Sequence, residues 1–410
     1  MNATLEHLLS PNTIRAQARR MLKRADEGHT HFSVHRDQLS QVAARVERVT
    51  RQNYPDLRVP FHSRWAHFRA GGVDRVTPLR AQIARQSSAD ASECARCELD
   101  LVVVSVLLDA GAGMEWKFRE ESTGLSIGKS EGLALASLKL FEVGAFSSDP
   151  TRPLSVDSRG LRALSRERFE QVFQVRADNP LVGVEGRLGL LHSLADALDR
   201  QSTYFLDRSS GRARPGALFD FWSGRNTRTA VHAVEILRAL QLGMGTIWPG
   251  RESWEGVNLG DVWNYAPFGT APDSLVPFHK LSQWLSYSML ETLERYHLRV
   301  DHVTELSGLA EYRNGGLLLD AGVLRLRDPS LATRRHAPDS ELVIEWRALT
   351  LALLEELAPL VRARLGKTEA ELPLGKVLEG GTWAAGREIA RELRSDGGPP
   401  LQILSDGTVF

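Results

Sequence analysis

Apolar positions recur at helical spacing along most of the chain. Residues 1–26 place Leu5, Leu8, Leu9, Ile14, Ala18 and Leu22 on one helical face, and Pro11 interrupts it. After the loop GHTHFS, Ser33 is a candidate cap for a helix carrying Val34, Leu39, Val42, Val46 and Val49. Residues 90–109 become apolar on every side in LDLVVVSVLL, which marks a helix central to a core, and LDAGAGMEW supplies the glycines to stop it. Ser130 is a candidate cap for EGLALASLKLFEV, which Gly144 ends, and Asp157 for the helix that follows, through Phe169 and Val172. Residues 182–198 and 229–242 are again helical, while the polar 201–215 stretch reads as a mobile surface loop. Lys280 opens an apolar helix, and ELVIEWRALTLALLEEL forms another. A strand pattern is clear only in the tail LQILSDGTVF, with a turn at Asp406-Gly407. The expected fold is mainly α, one large helical domain with a few short strands. Residues 1–75 are a candidate N-terminal helical cap on a core spanning 76–410.

Composition narrows the function classes. Among 410 residues, 51 Lys+Arg balance 51 Asp+Glu, so no bulk charge recruits nucleic acid or a membrane surface. Hydrophobic content of 42% suits a packed globule, and no apolar run has the length of a membrane span. The first 20 residues lack a secretory pattern, so a cytoplasmic location is expected. Cys94 and Cys97 form a CxxC within a helical pattern, with no second pair to complete a zinc site. They read as small helix residues in a reducing compartment.

Charge becomes informative where it interrupts apolar segments, above all in residues 275–357. Buried charge is costly unless paired, so Lys280, Glu311, Arg313, Glu345 and Arg347 mark either a structural ion-pair network or a site. Asp109 sits at the C-terminal end of the apolar helix, where an acid opposes the macrodipole. Gly380, Gly381 and Thr382, with Arg387 one turn on, form either a phosphate-binding helix start or a plain glycine turn. His29, His31, His35, His62 and His67 raise the question of metal, although their spacing matches no strong ligand motif. Arg64, Trp65 and Arg69 among them allow a substrate-facing cap instead. The Trp-rich residues 246–269 either wall a pocket or fill core.

Segments spread over nearly the whole chain carry a family resemblance. VPFHSRWAHFRAGGVDR, SVLLDAGAGMEWKF, SEGLALASLKLFEVGAFSSDP, NPLVGVEGR, WPGR, LVPFHKLSQWLSYS, GLAEYRNGGLLLDAGVL, LEGGTWAAGR and SDGTVF together resemble a uracil-catabolism family of fungi and bacteria. That family is the fourth component of a pathway that opens the pyrimidine ring of uridine monophosphate. A fainter series (LDAGAGMEW, PFHKLSQWL, LAEYRNGGLLLDAGVL and VIEWRALTLALLEEL) is similar to the queuosine salvage proteins, helical hydrolases that cut a nucleotide N-glycosidic bond. Their acidic-Tyr-Arg triplet corresponds to Glu311, Tyr312 and Arg313, with glutamate in place of aspartate. Their aromatic stretch after LDA is reduced to Trp116.

These resemblances imply a hydrolase that releases urea from a ribosylurea, or its 5′-phosphate, left by ring opening. The expected catalytic groups are Glu311, beside C1′, and Asp109. Asp109 or Glu131 would bind urea N–H groups. Lys280, Arg313 and Arg387 would hold phosphate or ribose, with Trp116, His279 and Tyr312 also lining the site. Glu345 and Arg347 would orient Glu311 and Arg313. No cofactor or metal is implied, and the partner is a small nucleotide-derived molecule. Two other readings remain open: a metal-dependent amidohydrolase using the histidines, and a non-catalytic protein that channels the intermediate.

Overall fold

The computed structural model describes residues 3–109, 111–224, 227–248 and 252–404. At its centre lies the helix Ala91–Leu107, capped by Asp90, whose side chain accepts from the N–H groups of Ser92 and Glu93. Its apolar run is buried on all faces, because the helices Val76–Gln86, Lys129–Glu142, Val184–Arg200 and Lys280–Arg295 all pack against it. A second layer is formed by Glu341–Leu365, which packs on Pro11–Asp26 and Leu39–Asn53. One continuous apolar cluster joins Ile14, Phe32, Val46 and Trp65 to residues as late as Ile389 and Leu401. Helices dominate, and every strand belongs to a small two-stranded pair. No helix of the described residues is long and apolar enough to cross a membrane.

Several local expectations are corrected by long-range contacts. Ser33 caps no helix: Phe32–Val34 is a strand, paired antiparallel with Leu324–Leu326, and the helix begins at Leu39. Ser130 is not the cap of its helix either, since Gly128 holds that position and the Ser130 hydroxyl donates to Asp109. The 201–215 stretch is no loose loop. It folds into a helical turn and a hairpin, and it buries Arg214 against Asp100 and Glu93 of the central helix and its own Asp207. Burial pushes the Asp100 carboxyl up to about 6 against the pull of Arg214. Cys94 and Cys97 are buried helix residues, and burial pushes the Cys97 thiol up to about 12, far from a reactive thiolate. Of the expected C-terminal strand, Gln402–Ile403 is present, paired with Arg335–His336. The Asp406-Gly407 turn lies outside the described residues.

Tyr312–Asp320 packs closely along Trp383–Leu393. Gly386 makes this approach possible, because a Cβ there would stand 2.3 Å from the Arg313 carbonyl oxygen. Gly386→Ala should therefore push the two helices apart and destabilise the fold by ~1–3 kcal/mol. Thermal and chemical denaturation would read this directly, and an unchanged melting temperature would contradict the close approach.

Candidate active site

A cleft of about 370 Å³ opens where the central helix ends, between the starts of the Lys280 and Tyr312 helices and the Trp383 helix. Glu311 stands in its wall as the N-cap of Tyr312–Asp320. Its two carboxylate oxygens accept the N–H groups of Arg313 and Asn314, each at 2.6 Å. This is the place where free backbone donors and the helix dipole favour a negative group. Burial pushes the Glu311 carboxyl up, and the two N–H bonds and the neighbouring Lys280 only partly offset it. Lys280 lines the same cleft. Burial pushes its ammonium down, opposed by Glu311 and Asp109.

The Lys280 helix start is fixed by Asp261, which accepts the Lys280 N–H at 3.0 Å and a bidentate pair from Arg347 at 2.7 and 2.8 Å. Arg347 also donates to the Ala310 carbonyl at 3.4 Å, one residue before Glu311. Arg347 thus supports both Lys280 and Glu311 from behind and does not line the cleft.

Asp109 enters from the other side. Its carboxylate accepts from Arg64 and from the Ser130 hydroxyl, both at 3.2 Å. Its awkward place at a helix C-terminus is offset by two cations, since Arg187 donates to the nearby Leu108 and Gly111 carbonyls. Arg64 is wholly buried and also donates to the Ser105 hydroxyl, the Ser130 carbonyl and His67 Nδ1. His62 stands beside His67, its Nδ1 2.7 Å from Glu379, which in turn accepts from Tyr54 at 2.9 Å. Glu379 lies on a π-helical turn, Leu378–Thr382, a geometry often found at functional sites. Trp284 and Trp383 complete this end.

The cleft wall also carries cations. Arg313 donates to the Gly397 carbonyl at 2.9 Å, and its Nε has no partner among the described residues. Lys129 lines the cleft with it, its ammonium pushed down by burial and by Arg313, Arg387 and Arg391. Arg387 stacks on Trp383 at 4.0 Å and donates to Glu131 at 2.7 Å.

The structure therefore gathers Glu311, Asp109, Lys280, Tyr312 and Arg313 in one cleft, with Glu131 and Arg387 paired behind Trp383. Three expected contacts are not there. Trp116 is core: its indole donates to the Phe173 carbonyl at 2.9 Å and it packs on Phe173. His279 turns away to the Leu8 carbonyl at 3.1 Å. Glu345 accepts from Tyr265 and from the backbone and ring of His31, which takes it to another face. The histidine group also disperses. His29 is exposed beside Glu27, His31 meets Glu345, His35 meets Ser33, and only His62 and His67 reach the cleft. Among the described residues, the three-residue group with metal-compatible spacing is His232, His302 and Glu305, elsewhere on the surface.

Gly380-Gly381 is not a free helix start, because helical backbone runs unbroken from Leu374 to Leu393. The glycines let this run press onto Val46 and Thr50. Of the Trp-rich residues, Trp263 is buried and donates to Asp261, while the cleft takes Trp284 and Trp383. Sequence reading missed Asp261, Glu379 and both cleft tryptophans. The Arg64 neighbourhood was signalled only by its basic and aromatic residues among histidines.

Burial would raise the Glu131 carboxyl, but the Arg387 hydrogen bond and charge hold it at about 2. A folded pKa below the unfolded value gives stability that is complete at neutral pH and lost as pH falls from about 4.5 toward about 2. Glu131→Gln should cost ~3 kcal/mol at neutral pH, and the gap to wild type should narrow below about pH 4.5 and close only at about pH 2. Chemical denaturation of both proteins across that range is the check.

Sequence comparison agrees with the resemblance read from the motifs. The chain is 41% identical over 416 residues to "Protein urg3" of Schizosaccharomyces pombe, covering 99% of each. It is 40% identical over 382 residues to "Uracil catabolism protein 4" of Lachancea kluyveri, covering 86% of this chain and 85% of the relative. Residues 7–410 match the family described as "Protein of unknown function (DUF1688)", and the chain belongs to that family.

Proposed function

We propose that the protein acts in uracil catabolism as an N-glycosidase-type hydrolase, releasing urea from ribosylurea or its 5′-phosphate. The name of the Lachancea kluyveri relative supports the pathway. The observation that carries the reaction is Glu311, a buried carboxylate pinned by two backbone N–H groups in a cleft shared with Asp109 and Lys280. Cleavage of an N-glycosidic bond builds positive charge at C1′, and a fixed carboxylate beside it stabilises that charge without reorganising. Water then bonds to C1′. The C1′–N electron pair leaves on urea, and the proton lost by water ends on the urea nitrogen. Asp109, held by Arg64 and Ser130, is the second carboxylate for orienting water or the leaving group. The cations Lys129 and Arg313 suit the 5′-phosphate.

Pure protein incubated with ribosylurea and with its 5′-phosphate should release urea from at least one of them. Failure with both, or release of ammonia in place of urea, would overturn the N-glycosidase reading. Binding without turnover would favour a channelling protein. Glu311→Gln should bind substrate within a few-fold of wild type and lose about 100- to 10,000-fold in turnover. Near-wild-type urea release by that variant would remove Glu311 from its role. Arg313→Met should raise KM for the phosphorylated compound by about tenfold or more and change KM for ribosylurea less. Equal effects on both would place the phosphate elsewhere.

A further inference from the structure

Four rings close one end of the cleft: His62, His67, Trp284 and Trp383. The histidine rings meet edge to face with centroids 6.3 Å apart. Each lies within 5.7–6.1 Å of both indoles.

Both histidines commit Nδ1 to the protein, but to partners of opposite kind. His67 Nδ1 faces Arg64 Nη1 at 3.0 Å. A guanidinium only donates, so this nitrogen must accept, and the ring proton sits on Nε2. Burial, with the Arg64 charge, brings His67 down to about 4, so it is neutral at neutral pH. His62 Nδ1 faces Glu379 Oε2 at 2.7 Å. Burial raises Glu379, but its interactions with His62, then His67 and Tyr54, outweigh it, and the group stays below its usual range. An ionised carboxylate only accepts, so His62 carries its proton on Nδ1 and, as the neutral ring, a lone pair on Nε2. Neither Nε2 has a hydrogen-bond partner among the described residues. The indole N–H of Trp284 is also buried and unpartnered among them.

One ring thus offers a donor and its neighbour an acceptor, between two aromatic walls. We propose that this box seats a planar, neutral amide-type group, the ureido end of the substrate. His67 Nε2–H would donate to its carbonyl oxygen, and His62 Nε2 would accept from its N–H. A carboxylate of the same shape presents only acceptors and would face the His62 lone pair, so the seat selects the amide over the acid. The tryptophan faces fit the flat group and exclude water from it. The proposal rests on the hydrolase reading only in naming the ureido group as the one that leaves.

The test uses the full chain. Ring-nitrogen NMR should find the Nδ1–H tautomer at His62 and the Nε2–H tautomer at His67. The same tautomer at both would overturn the proposal. Ribosylurea binding is then followed by tryptophan fluorescence, with ribose 5-phosphate as control. Asparagine places its amide near the position of a histidine Nδ1, so His62→Asn and His67→Asn keep a partner for the buried Glu379 and Arg64 and remove Nε2 with the outer part of the ring. Each should weaken ribosylurea binding by about tenfold or more while changing ribose 5-phosphate binding little. Wild-type affinity for ribosylurea in both variants, or no ribosylurea binding by the wild type, would overturn the seat. A wild type that binds ribosylurea but releases no urea sinks the hydrolase reading and leaves the seat standing. Urea release with undiminished binding in the variants does the reverse.

Discussion

Arg64 is a guanidinium with no exposed surface, and the site is arranged around keeping it satisfied. It bonds the central helix through Ser105, the start of the next helix through Ser130, and the cleft through Asp109 and His67. Its Cζ also lies 5.3 Å from the centroid of the Trp284 ring. Taking such a charge out of water is repaid only by good geometry on every N–H. The same bonds fix the orientation of one candidate catalytic carboxylate and the tautomer of one histidine. Structural and chemical roles are therefore inseparable here: a change that frees Arg64 also frees Asp109.

The opposite wall is held in the same way. Asp261 and Arg347 form a buried bidentate pair behind the cleft and fix both the Lys280 N–H and the backbone ahead of Glu311. Burial would raise the Asp261 carboxyl, but Arg347 holds it well below the usual carboxylate range. Net neutrality of the chain thus conceals strong local fields. Cations at Lys129 and Arg313 and a pair of carboxylates at Glu311 and Asp109 share one small cavity.

What could be read from the sequence was what depends on near neighbours. The apolar run in residues 99–108 announced the central helix. A charge interrupting an apolar stretch, with the acidic-Tyr-Arg resemblance, singled out Glu311, and an acid at a helix end singled out Asp109. What could not be read depends on partners far along the chain. Glu345 and Arg347 are two residues apart in one helix, yet one turns to His31 and Tyr265 and the other to Asp261. No periodicity distinguishes them. Ser33 carried a good capping signal that pairing with Arg325 overrode. Asp261 and Glu379 have no local mark at all, since each is defined by what folds against it.

The link between His62 and Glu379 spans 317 residues of chain. Until the π-helical turn near the C-terminus has been made and docked, His62 has no carboxylate and the Trp383 wall is absent. A chain emerging from the ribosome can bury much of its core beforehand, but its cleft stays unfinished until residues 374–393 have been made. A chain ended before that segment would lack one wall of the cleft as well as the helix that carries it.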